Sequence, residues 1–174
     1  MKWWTGRHLS RWTGIALQLV VFPAVYGLAP WALSLLAARH GWAGEKPGIF
    51  NLVGLIPVAA GFGTVLLCMR EHFLAAPTGW LLERTPHYPT PSYLLTGGPY
   101  RYSCNPIYLA DLAMWLGWMA FYGSFVLAGT FAAMALLIGP IIVPREERGL
   151  AARFGDEYRE FRRTTPRWFG KRRR

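Results

Sequence analysis

The chain has 174 residues, of which 53% are hydrophobic and only 16% are charged. Soluble domains typically carry about 25% charged residues, so this composition disfavours a soluble domain, and its apolar content excludes a disordered chain. Basic residues outnumber acidic ones by 19 to 9, which gives a net charge of +10. No nucleic-acid reader motif accompanies this charge, so we predict no nucleic-acid partner and assign the charge to anionic membrane lipids.

Apolar stretches recur along the chain at the length that a membrane requires, which is about 20 residues per helix. Residues 14–38 and 47–69 contain no charged side chain, and Asp111 is the only charged residue between 102 and 144. This last stretch breaks at a small polar turn, 122–124. We therefore predict an all-α integral membrane bundle that forms a single domain over 1–174. The predicted transmembrane helices are 14–38, 49–69, 106–121 and 124–143.

Basic residues are distributed unequally between the two sides of this bundle. The N-terminal segment, the loop after the second helix and the tail after residue 143 share one side and carry 17 of the 19 basic residues. The opposite side carries only Arg39 and Lys46. Because cytoplasmic loops are enriched in Lys and Arg, we predict cytoplasmic termini. The Arg-rich, Lys-poor composition suggests a bacterial source, and therefore the inner membrane.

The parts outside the spans have patterns of their own. Residues 70–100 hold five prolines, which predicts an ordered extended loop with one short interfacial helix around 72–82. After Pro144, apolar residues recur at helical spacing and predict a cytoplasmic amphipathic helix on the inner membrane face. Gly155 interrupts this helix and favours two short helices with a kink. The apolar stripe consists of Leu150, Phe154, Tyr158 and Phe161.

Asp111 is the polar group that most needs an explanation, because ionisable residues inside a membrane are costly and often functional. It shares one helical face with Asn105, Tyr108 and Trp115, which predicts an inward-facing polar surface. Its alternative role is an ion pair with Arg101. Glu146 and Glu147 follow the fourth span, where they either bind a ligand or form a solvated helix start. Glycines at 54, 61 and 63 predict close helix packing within one chain or between chains, and the oligomeric state stays open.

The histidines and cysteines are too scattered for a metal site. The four histidines lie at 8, 40, 72 and 87, and the two cysteines are Cys68 and Cys104. These spacings do not match those of metal ligands, so no metal is predicted. We interpret Cys104 as a small packing residue.

Two motifs resemble a known family. The segment TGGPYRY at 96–102 and the NPIY at 105–108 resemble the GPYRYxRHPxY element of isoprenylcysteine carboxyl methyltransferases and phospholipid methyltransferases. EERGL at 146–150, FGDEY at 154–158 and PR at 166–167 are similar to the end of that family's sequences. The family's Arg-His-Pro is Cys104-Asn105-Pro106 here.

This resemblance implies a membrane-embedded methyltransferase that uses S-adenosyl-L-methionine and acts on a lipophilic acceptor. The acceptor classes are an isoprenylcysteine carboxylate, a lipid amine or a small hydrophobic molecule. The implied cofactor element covers about 96–170, and its residues are Gly98, Tyr100, Arg101, Asn105, Pro106, Tyr108, Glu146 and Glu147. We expect Arg101 to hold the cofactor carboxylate and Asp111 to accept a proton from the acceptor or to orient it. An NADPH-dependent reductase similar to the sterol reductases and a non-catalytic protein of the same fold are the alternatives.

Overall fold

The computed structural model describes residues 8–10, 16, 19–75, 79–84, 89–91 and 93–170. The basic residues Lys2, Arg7 and Arg11 and the basic C-terminus 171–174 lie outside the described residues. Residues 14, 15, 17 and 18, at the start of the predicted span 14–38, also lie outside the described residues. The orientation prediction therefore stays a prediction.

Helices make up most of the described chain, as the sequence predicted. The apolar helix Leu19–Ser34 is interrupted by a π-helical turn, Ala24–Leu28. A second π-helical turn, Ile138–Ile142, joins the helix Phe125–Leu137 to the helix Val143–Thr164. Pro140 lies in the second turn and has no N–H to donate, which fits the departure from regular α-helix there. The helices are α1 (Leu19–Ser34), α2 (Ile49–Leu52), α3 (Leu55–Ala75), α4 (Pro106–Tyr122), α5 (Phe125–Leu137) and α6 (Val143–Thr164).

Short β-strands correct the expectation that the chain is entirely helical. In one antiparallel sheet, Gly79–Arg84 lies between His8–Ser10 and Pro89–Pro91. Trp42–Ala43 pairs with Lys46–Pro47 in a two-stranded antiparallel ribbon. The interfacial helix predicted around 72–82 is wrong, because α3 continues to residue 75 and a strand follows. The strands are β1 (His8–Ser10), β2 (Trp42–Ala43), β3 (Lys46–Pro47), β4 (Gly79–Arg84) and β5 (Pro89–Pro91).

Two stretches of continuous helix among the described residues are long and apolar enough to cross a membrane. They are Ile49–Ala75, which combines α2 and α3, and Phe125–Thr164, which combines α5, the π-helical turn and α6. Only 22% and 17% of their most apolar windows are buried, whereas the core helix of a soluble protein is mostly buried. Their apolar surface therefore faces outward, as lipid contact requires. The helix Leu19–Ser34 is apolar but shorter, and α4 has 17 residues. Four membrane-spanning helices remain a prediction.

The chain divides into two compact units. Unit 1 contains Met1–Leu17, Leu66–Pro106 and Ile138–Arg174, and unit 2 contains Gln18–Val65 and Ile107–Leu137. The division falls within α3, after Val65, and between α5 and α6, after Leu137.

Unit 2 is built on an aromatic cluster and on close helix contacts. Trp115, Tyr122 and Leu127 are buried, and Trp42 stacks on Tyr122 with ring centroids 5.7 Å apart. The predicted break after α4 is confirmed, because α4 ends at Tyr122 and α5 begins at Phe125. A Cβ at Gly123 would collide with the backbone carbonyl of His40, so only glycine fits this turn.

Unit 1 is centred on the apolar stripe of α6. Tyr158 and Phe161 are buried against Cys104, and Leu150 and Phe154 pack on the same cluster. The stripe therefore packs against the protein, and the position of α6 on the inner membrane face stays a prediction. The predicted kink is confirmed, since Gly155 has a φ of +53° and a ψ of −119° inside α6, a conformation that favours glycine.

Candidate cofactor site

The segment that carries the first sequence motif folds into a tight 3₁₀ turn, Gly98–Arg101. Gly98 opens this turn with a φ of +51°. The Glu71 side chain lies against it, because a Cβ at Gly97 would be 2.6 Å from Glu71 Oε2 and one at Gly98 would be 2.9 Å from Glu71 Cγ. The Glu71 carboxylate thus occupies the space that the absence of side chains at these two glycines leaves open. The motif had implied that a cofactor lies beside Gly98.

Tyr100 lies in a polar cluster at the end of α3. Its hydroxyl is 3.4 Å from His72 Nε2, and His72 Nδ1 is 3.0 Å from the Tyr93 hydroxyl. Burial raises the pKa of the Tyr100 phenol, and the nearby Cys68 thiol and Glu146 carboxylate raise it further. Tyr100 is therefore neutral at physiological pH and interacts through hydrogen bonds. The sequence predicted Tyr100 and Glu146 here but missed Glu71 and His72.

Arg101 lines an open cleft of about 410 Å³ in unit 1. That volume falls within the range of about 300–1,000 Å³ that ligand sites commonly have. One side of the cleft comes from the motif segment and the other from the second half of α6, beyond the Gly155 kink. Arg101 is the predicted site residue among those that line the cleft, which are Thr96, Gly97, Arg101, Glu157, Glu160, Phe161, Thr164 and Thr165.

Glu147 and Asn105 bind other parts of unit 1. Glu147 is 6% exposed and accepts two hydrogen bonds from Arg167, at 2.9 Å from Nε and 2.6 Å from Nη2. Arg162 forms a second ion pair with the same carboxylate. The Asn105 side-chain amide donates to the Arg167 carbonyl at 3.0 Å. The Asn105 bond fastens the chain after α6 to the start of α4, and the Arg167 pair fastens the same chain to the first half of α6, so both side chains hold unit 1 together.

Asp111 belongs to unit 2, where its partner among the described residues is Tyr26. The Tyr26 hydroxyl donates a hydrogen bond to Asp111 Oδ1. Tyr26 lies within the π-helical turn Ala24–Leu28 and contacts Phe22, with ring centroids 4.6 Å apart. The sequence alternative, an Asp111–Arg101 ion pair, would join residues of the two units and stays a prediction. Tyr26 could not be found from sequence, because it lies 85 residues from Asp111.

The predicted site residues thus fall in both units. Tyr108 and Asp111 belong to unit 2, near the start of α4. The remainder belong to unit 1, and they are Gly98, Tyr100, Arg101, Asn105, Pro106, Glu146 and Glu147. Their roles in binding a cofactor stay predictions. The described residues contain no group of three or more His, Cys, Asp or Glu side chains that could hold a metal ion.

The Cys104 thiol is expected to be unreactive in the folded protein. It is 8% exposed, and burial raises its pKa to about 11, although the Arg162 charge opposes that rise. The nucleophilic thiolate is scarce below that pKa. Cys68 is fully buried. We therefore expect N-ethylmaleimide at pH 7.5 to label neither cysteine in detergent and to label both after denaturation, as measured by mass spectrometry.

A cysteine introduced at the exposed position Ala152 supplies the control for this labelling. Ala152→Cys should react within minutes under the same conditions. Modification of Cys104 in the folded protein at the rate of residue 152 would contradict its burial.

Apolar helices that face outward and a polar cluster at the Gly98–Arg101 turn together define a helical membrane protein with a candidate small-molecule site. The family model of the phospholipid methyltransferases matches residues 50–157, more than half of the chain. The chain therefore belongs to the phospholipid methyltransferase family, as its motifs had indicated. Comparisons with curated proteins and with solved structures gave no match.

Proposed function

We propose that the chain is a membrane methyltransferase that takes its methyl group from S-adenosyl-L-methionine and transfers it to a lipophilic acceptor. The observation that carries this proposal is the family match over residues 50–157. The polar groups of unit 1 supply the chemical support. A cationic side chain and two carboxylates lie on or beside the motif turn, namely Arg101, Glu71 and Glu146.

These groups fit the cofactor by their chemistry. S-adenosylmethionine would supply an electrophilic methyl group, together with a carboxylate, an ammonium group and ribose hydroxyls. Arg101 is suited to the carboxylate, because a guanidinium can bind it through two hydrogen bonds. Glu146 is suited to the ammonium group or to the ribose hydroxyls. Because the cofactor carries its own leaving group, the protein mainly has to align the reactants and exclude water.

The acceptor half of the reaction is assigned to Asp111. An acceptor that arrives as a protonated ammonium must lose a proton before its nitrogen can attack the methyl group, and a carboxylate within the membrane is a suitable base. The Tyr26 hydrogen bond occupies one oxygen of Asp111 and orients the carboxylate. The exposed apolar surface of the helices favours an acceptor that enters from the lipid. We further propose that both termini lie in the cytoplasm of a bacterial cell, on the basis of the basic residues in the loops.

Calorimetric titration of the purified protein with S-adenosylhomocysteine tests the cofactor assignment. We expect saturable binding that Arg101→Gln and Glu146→Gln each weaken by about tenfold, because each removes one charged hydrogen bond to the ligand. Arg159→Gln is the matched control, since Arg159 is exposed and pairs with Asp156. Binding of NADPH instead of the nucleoside would favour the reductase alternative. Binding of neither by folded protein would contradict both enzyme assignments.

Substitution of Asp111 tests the acceptor assignment. Asp111→Asn keeps the size of the side chain and removes the base, so we expect methyl transfer to fall at least about 100-fold. Affinity for S-adenosylhomocysteine should be unchanged. Transfer of tritiated methyl groups to a total lipid extract measures the rate. Asp156→Asn, an exposed acid of α6, is the control, and an unchanged rate in Asp111→Asn would exclude a proton-accepting role.

A further inference from the structure

Three side chains in unit 1, Tyr93, His72 and Tyr100, form a row of hydrogen bonds. The proposed function gives no role to Tyr93 or His72. His72 lies in the last turn of α3, and its two ring nitrogens face different tyrosines. Nδ1 is 3.0 Å from the Tyr93 hydroxyl, and Nε2 is 3.4 Å from the Tyr100 hydroxyl. Both tyrosine rings meet the imidazole edge-on, at interplanar angles of 70° and 81°. One histidine thus joins the motif turn to the segment that precedes it.

The chemistry of imidazole couples the two tyrosines. A neutral histidine donates from one ring nitrogen and accepts at the other. If Tyr93 donates to Nδ1, then Nε2 donates to the Tyr100 oxygen, and the Tyr100 hydroxyl hydrogen is directed elsewhere. If Nδ1 donates to Tyr93, then Nε2 accepts from Tyr100. Tyr93 therefore influences, through His72, whether the Tyr100 hydroxyl presents its hydrogen or an oxygen lone pair to a further neighbour.

We propose that His72 is a positioning residue of the cofactor site, which holds the Tyr100 hydroxyl in one orientation while Tyr93 selects the tautomer of His72. This inference rests on the proposed function, because that function places Tyr100 in the wall of the cofactor site. The groups around Tyr100 are consistent with a binding role, since Cys68 and Glu146 also interact with it. A purely structural role for residue 72 would be met equally well by an apolar ring of similar size.

Variants at residue 72 separate these two roles. His72→Phe keeps an aromatic ring and removes both nitrogens, whereas His72→Gln places an amide near the position of Nε2. We expect His72→Phe to weaken S-adenosylhomocysteine binding by about tenfold, as one lost hydrogen bond to the site would do. His72→Gln should restore affinity to within about threefold of the wild type. The structural role alone predicts the reverse order, because the phenyl ring fills the space better.

A double-mutant cycle tests the part played by Tyr93. Tyr93→Phe removes one hydroxyl and should weaken binding by about threefold to fivefold. If Tyr93 acts through His72, this effect should vanish in the His72→Phe background, because coupled residues are not additive. Tyr102→Phe is the matched control. It makes the same change in the same segment at a residue that is 58% exposed, and it should leave affinity unchanged.

The outcomes distinguish this inference from the proposed function. A wild-type protein that is folded but does not bind S-adenosylhomocysteine would overturn the proposed function, and the inference with it. If the wild type binds, equal losses in His72→Phe and His72→Gln, no loss in either, or additive effects of Tyr93→Phe and His72→Phe would overturn the inference alone. Thermal unfolding in detergent identifies any variant that fails to fold. If His72→Phe fails to fold, Tyr93→Phe alone tests the inference, because an unchanged affinity in that variant would overturn it.

Discussion

Gly117→Ala is expected to destabilise unit 2 by about 3 kcal/mol, near the upper end of the usual range for overpacking. A Cβ at position 117 would lie 2.5 Å from the carbonyl oxygen of Gly54 and 2.9 Å from the backbone nitrogen of Val58. Both atoms belong to the backbone, so no side-chain rotation relieves the clash and the helices must move apart. The gain in helix propensity from glycine to alanine, about 1 kcal/mol, offsets only part of this cost.

Thermal unfolding in detergent, followed by intrinsic fluorescence, measures this effect. For a chain of this size we expect the midpoint to fall by about 6–12 °C. Gly63→Ala is the matched control, because a Cβ there meets no atom within 4 Å and adds only helix propensity. Equal midpoints for Gly117→Ala and Gly63→Ala would contradict the close helix contact.

The glycine contacts show how far the sequence defines the packing. It predicted close approach around Gly54, Gly61 and Gly63, and the structure places Gly54 against Gly117 and Gly61 against Ala110 and Met114. Gly63 has no such neighbour. Composition reveals which residues permit close contact, but the helix rotation that chooses among them depends on the partner helix. The kink at Gly155 was predictable because its cause is local to the residue.

The strands escaped prediction for a related reason. The prolines of 70–100 indicate extended chain, which is correct for β4 and β5. Strand pairing, however, joins β4 to β1, about 70 residues earlier in the chain. No local pattern encodes such a partner, and short strands bounded by proline resemble loops.

The site residues that the sequence missed are those that only long-range contacts bring to the site. Tyr100 and Glu146 stand out through their motifs. Glu71 and His72 lie at the end of an apolar helix, and only the fold brings them to the motif turn. The motif also implied that Glu146 and Glu147 both bind the cofactor. In the structure, Glu147 is paired with two arginines, whereas Glu146 lies near Tyr100.

Glu147→Gln is expected to destabilise unit 1 by about 2–3 kcal/mol. Breaking a buried ion pair typically costs about 3–5 kcal/mol, because the remaining charge is left uncompensated. The side chains of Arg162 and Arg167 are 34% and 42% exposed, so solvent screens part of that charge and lowers the cost. Glu160→Gln is the control. Its pair with Arg163 lies on the surface, with both side chains at least 60% exposed, and its loss should not shift the thermal midpoint measurably.

The same substitution should also release the chain after α6. The backbone of this segment is attached to the start of α4 by Cys104 N–Pro166 O and Gly170 N–Tyr102 O hydrogen bonds of 2.9 and 3.2 Å. The segment is also attached to α6 by the ion pair of Arg167 with Glu147, which is stronger than either backbone bond, since it combines opposite charges with two hydrogen bonds at a buried carboxylate. We therefore expect trypsin to cleave after Arg167 at least about tenfold faster in Glu147→Gln than in Glu160→Gln. Equal cleavage rates would show that the backbone hydrogen bonds alone hold the segment.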